Sequence, residues 1–153
     1  MTIIEAAILA VVEGLTEFLP VSSTGHLVIT SALLGIGKED FTKVYEVAVQ
    51  FGAILAVVVL YARKFFQFSR WEFYLKLLIG VIPALVFGYF FSDRIDKLLE
   101  SPLTVAITML AGGFILLFID KLFNNPTIES DDQITYTKSF MVGFWQCIAM
   151  IPG

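Results

Sequence analysis

Charge is scarce in this sequence. Asp, Glu, Lys and Arg make up 16% of its 153 residues, against roughly a quarter in soluble domains. A water-facing surface of ordinary polarity is thereby excluded. The formal net charge is only −4 and no basic block occurs, so a nucleic-acid partner is not expected. A single cysteine, Cys147, rules out a disulfide within the chain. It sits in an apolar run and reads as a small buried residue rather than a nucleophile. Tryptophan and tyrosine are few, 2 and 5 beside 15 phenylalanines, so most of the aromatic surface has no polar handle. The first apolar run lacks a basic flank and is interrupted by Glu5, Glu13 and Glu17. No cleavable signal peptide is expected, and the spans themselves must direct the chain to a bilayer.

What remains is apolar: 58% hydrophobic residues and a mean hydropathy of +0.84. Three runs approach the roughly 20 residues needed to cross a membrane. They are expected at about 45–62, 75–91 and 103–119, with Pro83 as a kink in the second and Gly112-Gly113 allowing close approach in the third. The link after the first run carries Arg63, Lys64, Arg70 and Lys76 against Glu72. The next, from Ser92 to Ser101, carries Asp93, Asp96 and Glu100 against Arg94 and Lys97. The positive-inside rule puts the first link in the cytoplasm, so the first span runs inward. The 120–138 loop is then cytoplasmic too. Its Glu129, Asp131 and Asp132, after Asn124-Asn125-Pro126, read as a solvated loop. Tyr61, Trp71 and Tyr74 fit the inner interfacial belt.

Two further apolar segments are not read as spans. A helix is expected from Thr2 to Leu19, stopped by Pro20, and a second short one from His26 to Leu34, ended by Gly35 and Gly37. Helix, break, short helix over residues 2–35 predicts a re-entrant hairpin dipping in from the outer face, which requires protein or a watery cavity around the break. The second segment, 139–153, matches 8–20 in character, with Gln146 falling on Glu13, Ile148 on Leu15 and Ala149 on Thr16. The expected organisation is a first membrane repeat over 1–138 and the start of an inverted second repeat over 139–153. The fold class is an all-α integral membrane protein.

The polar residues concentrate at the break. Glu13 and Glu17 stand four apart, so a helix puts both on one face among Val11, Val12, Leu15, Phe18 and Leu19. Such carboxylates need a divalent cation, a cationic partner or a shared proton, unless the helix simply lies in the interface and they face water. Ser22, Ser23 and Thr24 then precede a helix start. That arrangement is an N-cap, or it is a phosphate cradle of backbone N–H groups and hydroxyls. His26, the only histidine, can move protons near neutral pH. Glu46 and Gln50 share a helix face, and either extend the polar pocket or mark the interface.

The run Glu13-Gly14-Leu15-Thr16-Glu17-Phe18-Leu19-Pro20-Val21-Ser22-Ser23-Thr24-Gly25-His26 resembles the N-terminal motif of the undecaprenyl-diphosphate phosphatase, or bacitracin-resistance, family. The similarity continues through Tyr45-Glu46-Val47, Gln50-Phe51-Gly52, Phe144-Trp145-Gln146-Cys147 and Pro152-Gly153. The resemblance implies hydrolysis of a polyprenyl diphosphate lipid to the monophosphate carrier of peptidoglycan synthesis, in a bacterial plasma (inner) membrane. It implies Glu13 and Glu17 as holders of a divalent metal ion (Mg2+ or Ca2+) or activators of the nucleophile. Ser23 would be the nucleophile and His26 the general acid or base. Ser22, Thr24 and Gly25 would line the phosphate site, with Gln50 and Gln146 as further substrate-binding candidates. A site opening to the outer face and a homodimeric assembly are expected. The family's second motif continues past Pro-Gly into a Ser-Arg-Ser run whose arginine binds diphosphate. This sequence ends at Gly153, and Arg63, Arg70 and Arg94 fall in links, so turnover by the chain alone is not expected. A transporter or lipid flippase with a carboxylate ion site is the rival reading, and the Ser-Ser-Thr-Gly-His run is what transport does not require.

Overall fold

A computed structural model describes residues 1–67, 69–122, 130 and 133–151. The loop positions Asn124, Asn125, Pro126, Glu129, Asp131 and Asp132, and the terminal Pro152 and Gly153, lie outside the described residues. The order of elements is α1 (Ile3–Thr16), α2 (Ser23–Leu33), α3 (Asp40–Leu60), α4 (Ala62–Phe65), α5 (Trp71–Leu99), α6 (Pro102–Leu122) and α7 (Tyr136–Gln146), then a 3-10 turn Ile148–Met150. No strand occurs among the described residues, and the protein is all-α as the sequence implies.

Three helices, α3, α5 and α6, are long and apolar enough to cross a membrane. Their surfaces agree with that role. Leu55, Val59, Leu85, Phe90, Leu110 and Phe114 all stand exposed, an arrangement water would penalise and lipid would not. The expected spans are all present, but their helices run past the apolar stretches. The helix α5 continues through the charged Ser92–Leu99 segment, which hydropathy had marked as a link. Those residues are good helix formers, and only Pro102, at the first position of α6, ends the possibility of one continuous helix. The helix is also unbroken through Pro83, which is buried.

The N-terminal hairpin is built by local chemistry. Thr2 and Glu5 form a reciprocal capping box that starts α1. The helix was expected to reach Leu19 and ends at Thr16 instead. Pro20 has no N–H to give the Thr16 carbonyl, so the Leu19 N–H takes that acceptor at 3.2 Å in a tighter turn. At the far end of α2, Gly35 adopts φ +77, and the Ile36 and Gly35 N–H groups bond back to the Ser31 and Ala32 carbonyls at 3.0 and 3.1 Å. That is a Schellman end, and it reverses the chain into α3.

A small core holds the hairpin against α3: Leu9, Leu27 and Ile36 are buried together, with Tyr45 and Val49 packed on them. The Tyr45 hydroxyl donates to the Ala6 carbonyl at 2.9 Å, and the Met1 amino group pairs with Glu39 at 2.7 Å. Farther along, α7 lies on α5, where Gly143 meets the Gly80 backbone so closely that a side chain would not fit. Cys147 is half-buried rather than buried, its thiol directed to the Gly143 carbonyl at 3.3 Å. The Tyr74 hydroxyl donates to the Phe65 carbonyl, joining α5 to the link before it.

Candidate functional site

The break between α1 and α2 gathers the chemistry-bearing residues. Glu13 lies in the last turn of α1 and Glu17 is its C-cap, with the Glu17 N–H on the Glu13 carbonyl at 2.9 Å. Glu17 keeps a helical conformation, so the two carboxylates stay neighbours although the helix proper has ended. Glu13 is 1% exposed, and neither of its side-chain oxygens has a hydrogen-bond partner. Two buried, unpaired carboxylate oxygens are costly unless something cationic or a proton meets them.

Across the break, α2 begins at Ser23 rather than His26. Three further residues of the motif, Ser23, Thr24 and Gly25, therefore form the first turn, where backbone N–H groups lack helical acceptors. Ser22 is the N-cap, its Oγ accepting from the Gly25 N–H at 3.3 Å. Ser22 also holds φ 60 and ψ 86, the one positive-φ non-glycine residue among those described. Such a conformation costs on the order of 1–3 kcal/mol and clusters at functional sites. The Ser23 hydroxyl donates to the Glu17 carboxylate. His26 Nδ1 lies 2.9 Å from the Ser22 carbonyl. A carbonyl only accepts, so that nitrogen carries the hydrogen and Nε2 is the one that can exchange a proton. The N-cap reading holds: Ser22 caps α2, and the turn it caps presents Ser23 to a carboxylate.

From Thr24 a cleft of about 850 Å³ runs along α2 past Val28 and Ser31, facing Glu46, Val47 and Gln50 of α3. The Gln50 amide donates to Thr24 Oγ1 at 3.3 Å, and Gln50 lines the cleft. Glu46 lines the same cleft with one oxygen buried and unpartnered. Gln146 is not brought to this cluster. It ends α7, which packs on α5, and is exposed. Ser31, which its residue type does not single out, is 2% exposed and lines the cleft; it stands three residues from Val28 and seven from Thr24, so one helical face carries all three. The sequence reading missed it, and Met109 of α6 as well, whose thioether lies against Gly25.

No group of three or more His, Cys, Asp or Glu among the described residues is disposed to hold a metal ion by itself. The orphaned oxygens of Glu13, with Glu17 beside them, nonetheless suit a hard divalent cation that keeps water or phosphate oxygens for its remaining ligands.

Fold and site together define a polytopic helical membrane protein in which a helix N-terminus lined by hydroxyls meets one carboxylate, with a second beside it. Residues 6–153 match the family model of bacitracin resistance protein BacA, and the chain belongs to that family. It is 58% identical over 153 residues to an undecaprenyl-diphosphatase of Flavobacterium psychrophilum, covering 100% of this chain and 57% of that protein. A Flavobacterium johnsoniae undecaprenyl-diphosphatase is 55% identical, with 100% and 57% covered. One from Porphyromonas gingivalis is 44% identical over 170 residues, with 100% and 60% covered. The chain therefore spans somewhat under two thirds of the length of these relatives.

Proposed function

We propose that this chain supplies the reacting half of a membrane phosphatase that converts undecaprenyl diphosphate to undecaprenyl phosphate and inorganic phosphate. In a bacterial inner membrane this recycles the lipid carrier of peptidoglycan synthesis and confers resistance to bacitracin. The observation that carries the reading is the hydrogen bond from Ser23 to Glu17 at the first turn of α2. A transporter's ion site can be built without a hydroxyl held on a carboxylate, whereas a serine nucleophile needs a base placed on it.

In this reading the terminal phosphate sits on the N–H groups of the first turn of α2, where the helix dipole favours an anion. Ser23 Oγ attacks the terminal phosphorus as Glu17 takes the hydroxyl proton. The bond from that phosphorus to the bridging oxygen breaks, and the lipid monophosphate leaves with the electron pair. Glu17 passes its proton by way of His26 Nε2 to the leaving oxygen, and water then cleaves the serine ester, its hydroxyl joining phosphorus and its proton passing to Ser23 Oγ. Thr24 and Gln50, which line the cleft, hold the phosphate end together with Ser22 and Gly25 of the adjoining turn. Glu13 and Glu17 would hold a divalent ion such as Mg2+ or Ca2+, which when bound neutralises charge on the phosphate oxygens.

The helix–break–helix of α1 and α2, and the break that follows α7 at Cys147, support a re-entrant hairpin repeated in inverted form. Charge in the links supports a site open to the outer face. A homodimer is the assembly to test, by sedimentation in detergent. The function is tested by inorganic phosphate release from a C55 isoprenyl diphosphate in micelles with divalent ion. The sample is this chain continued at its C-terminus with the remaining residues of the Flavobacterium psychrophilum relative. Release that vanishes with Ser23→Ala and falls steeply with His26→Ala supports the reading. Release at the unmutated rate in both variants overturns it.

A further inference from the structure

The structure assigns to Met109 a role in the site that its chemistry does not announce: it is a positioning residue that seats the first turn of α2. The helix α6 packs against α2, and Val105, one turn before Met109, is fully buried. Met109 fills the notch left by the missing side chain of Gly25. A Cβ at Gly25 would stand 2.5 Å from Met109 Sδ, 3.0 Å from Met109 Cγ and 3.0 Å from Ser22 Oγ. The thioether and the capping hydroxyl therefore press on the same point of the same turn, from the α6 side and from the N-cap side.

That turn needs an external support. Its N-cap, Ser22, holds a left-handed conformation that its own backbone disfavours. Its remaining hydrogen bonds on the hydroxyl side come from Ser23 to Glu17 and from Gln50 to Thr24, both of which the substrate's phosphate oxygens would compete for. Met109 touches the turn with no polar atom that a phosphate could recruit, so its support persists when substrate binds. Methionine suits the task because its unbranched thioether fills an irregular notch and packs tightly without a fixed shape.

The consequence for catalysis rests on the phosphatase reading; the seating of the turn does not. Both are read in one set of samples, the chain continued with the C-terminal part of the Flavobacterium psychrophilum relative, in detergent. The variants are Met109→Ala, Met109→Leu, Gly25→Ala and the double variant Gly25→Ala with Met109→Ala. Amide hydrogen exchange of the segment from Ser22 to Val28 reports the seating, and phosphate release from a C55 isoprenyl diphosphate reports catalysis. Met109→Ala is expected to speed exchange in this segment about tenfold while helices α3 and α5 keep their rates. It should lower kcat about tenfold with KM changed less than about twofold, because misplacing a nucleophile costs turnover rather than affinity. Met109→Leu restores most of both. Gly25→Ala folds, since its tightest clash is with the thioether of a flexible side chain, but it displaces Met109 and loses kcat; removing Met109 as well relieves that clash, leaves only the 3.0 Å approach to the Ser22 hydroxyl, and recovers part of the loss. Unchanged exchange in Met109→Ala overturns the seating, as does a double variant no better than Gly25→Ala alone. Faster exchange with unchanged kcat overturns the positioning role. Faster exchange in a protein that releases no phosphate even without substitution upholds the seating and overturns the phosphatase reading instead.

Discussion

Ser23 opens helix α2 with its hydroxyl on the carboxylate of Glu17, the residue that closes helix α1, so the bond spans the break that the two helices frame. Neither residue would serve alone. A serine hydroxyl is a weak nucleophile until a base is placed on it, and Glu17 is the base placed here. Glu17→Gln is expected to keep the geometry and lose the base. Turnover should fall about 10²–10⁴-fold with a small change in KM. Because the two act as a unit, Ser23→Ala combined with Glu17→Gln should be no slower than Ser23→Ala alone. Phosphate release measures all three, and a Glu17→Gln protein with wild-type kcat would make the contact structural only.

Ser22 separates stability from activity. Its left-handed backbone is free for glycine, which removes strain of on the order of 1 kcal/mol or more and sacrifices only a few tenths from the cap. Alanine keeps the strain and loses the cap, at about 1 kcal/mol. Thermal melting in detergent should therefore rank Ser22→Gly at or above the unmutated protein and Ser22→Ala below it. Both should lose activity if the hydroxyl contacts phosphate. The reverse order of melting temperatures would mean that residue 22 is not held in this conformation.

Glu13 should be worth less to the fold than to the ion. With both oxygens buried and unpartnered, its charge is a burden in the absence of a cation. Without divalent ion, Glu13→Gln is expected to melt no lower than the unmutated protein. With millimolar Mg2+ or Ca2+ the unmutated protein should gain stability and the variant should not, following the ordinary linkage between binding and melting. A variant that gains as much as the parent would place the ion elsewhere.

How far the sequence could be read follows from what each signal measures. Hydropathy located three spans because lipid contact demands it, yet it missed the extent of α5, since Ser92–Leu99 is polar but helical. Proline located the break but not the end of α1, because its missing N–H acts four residues upstream, at Thr16. The motif named Ser23, Glu17 and Glu13, whose chemistry is visible in their type. Met109 carries no such mark, and only the packing of α6 on α2 reveals it. Gln146 is a candidate by resemblance, and resemblance in sequence says nothing about which helix α7 lies against.

The contact of α7 with α5 gives the last prediction. Gly143 faces the Gly80 backbone with no room for a Cβ, whereas a Cβ on Gly80 would meet only the Ser139 carbonyl at 3.3 Å. The two glycines sit on one interface but should respond differently. Gly80→Ala asks for a shift of a few tenths of an ångström and should cost less than about 1 kcal/mol. Gly143→Ala drives a methyl group into backbone, which cannot rotate away, so the helices must separate along their length at a cost of about 2 kcal/mol or more. Thermal melts in one detergent compare them directly. If Gly80→Ala proves the more damaging, α7 must lie on α5 in a different register, with Ser139 rather than Gly143 at the closest approach.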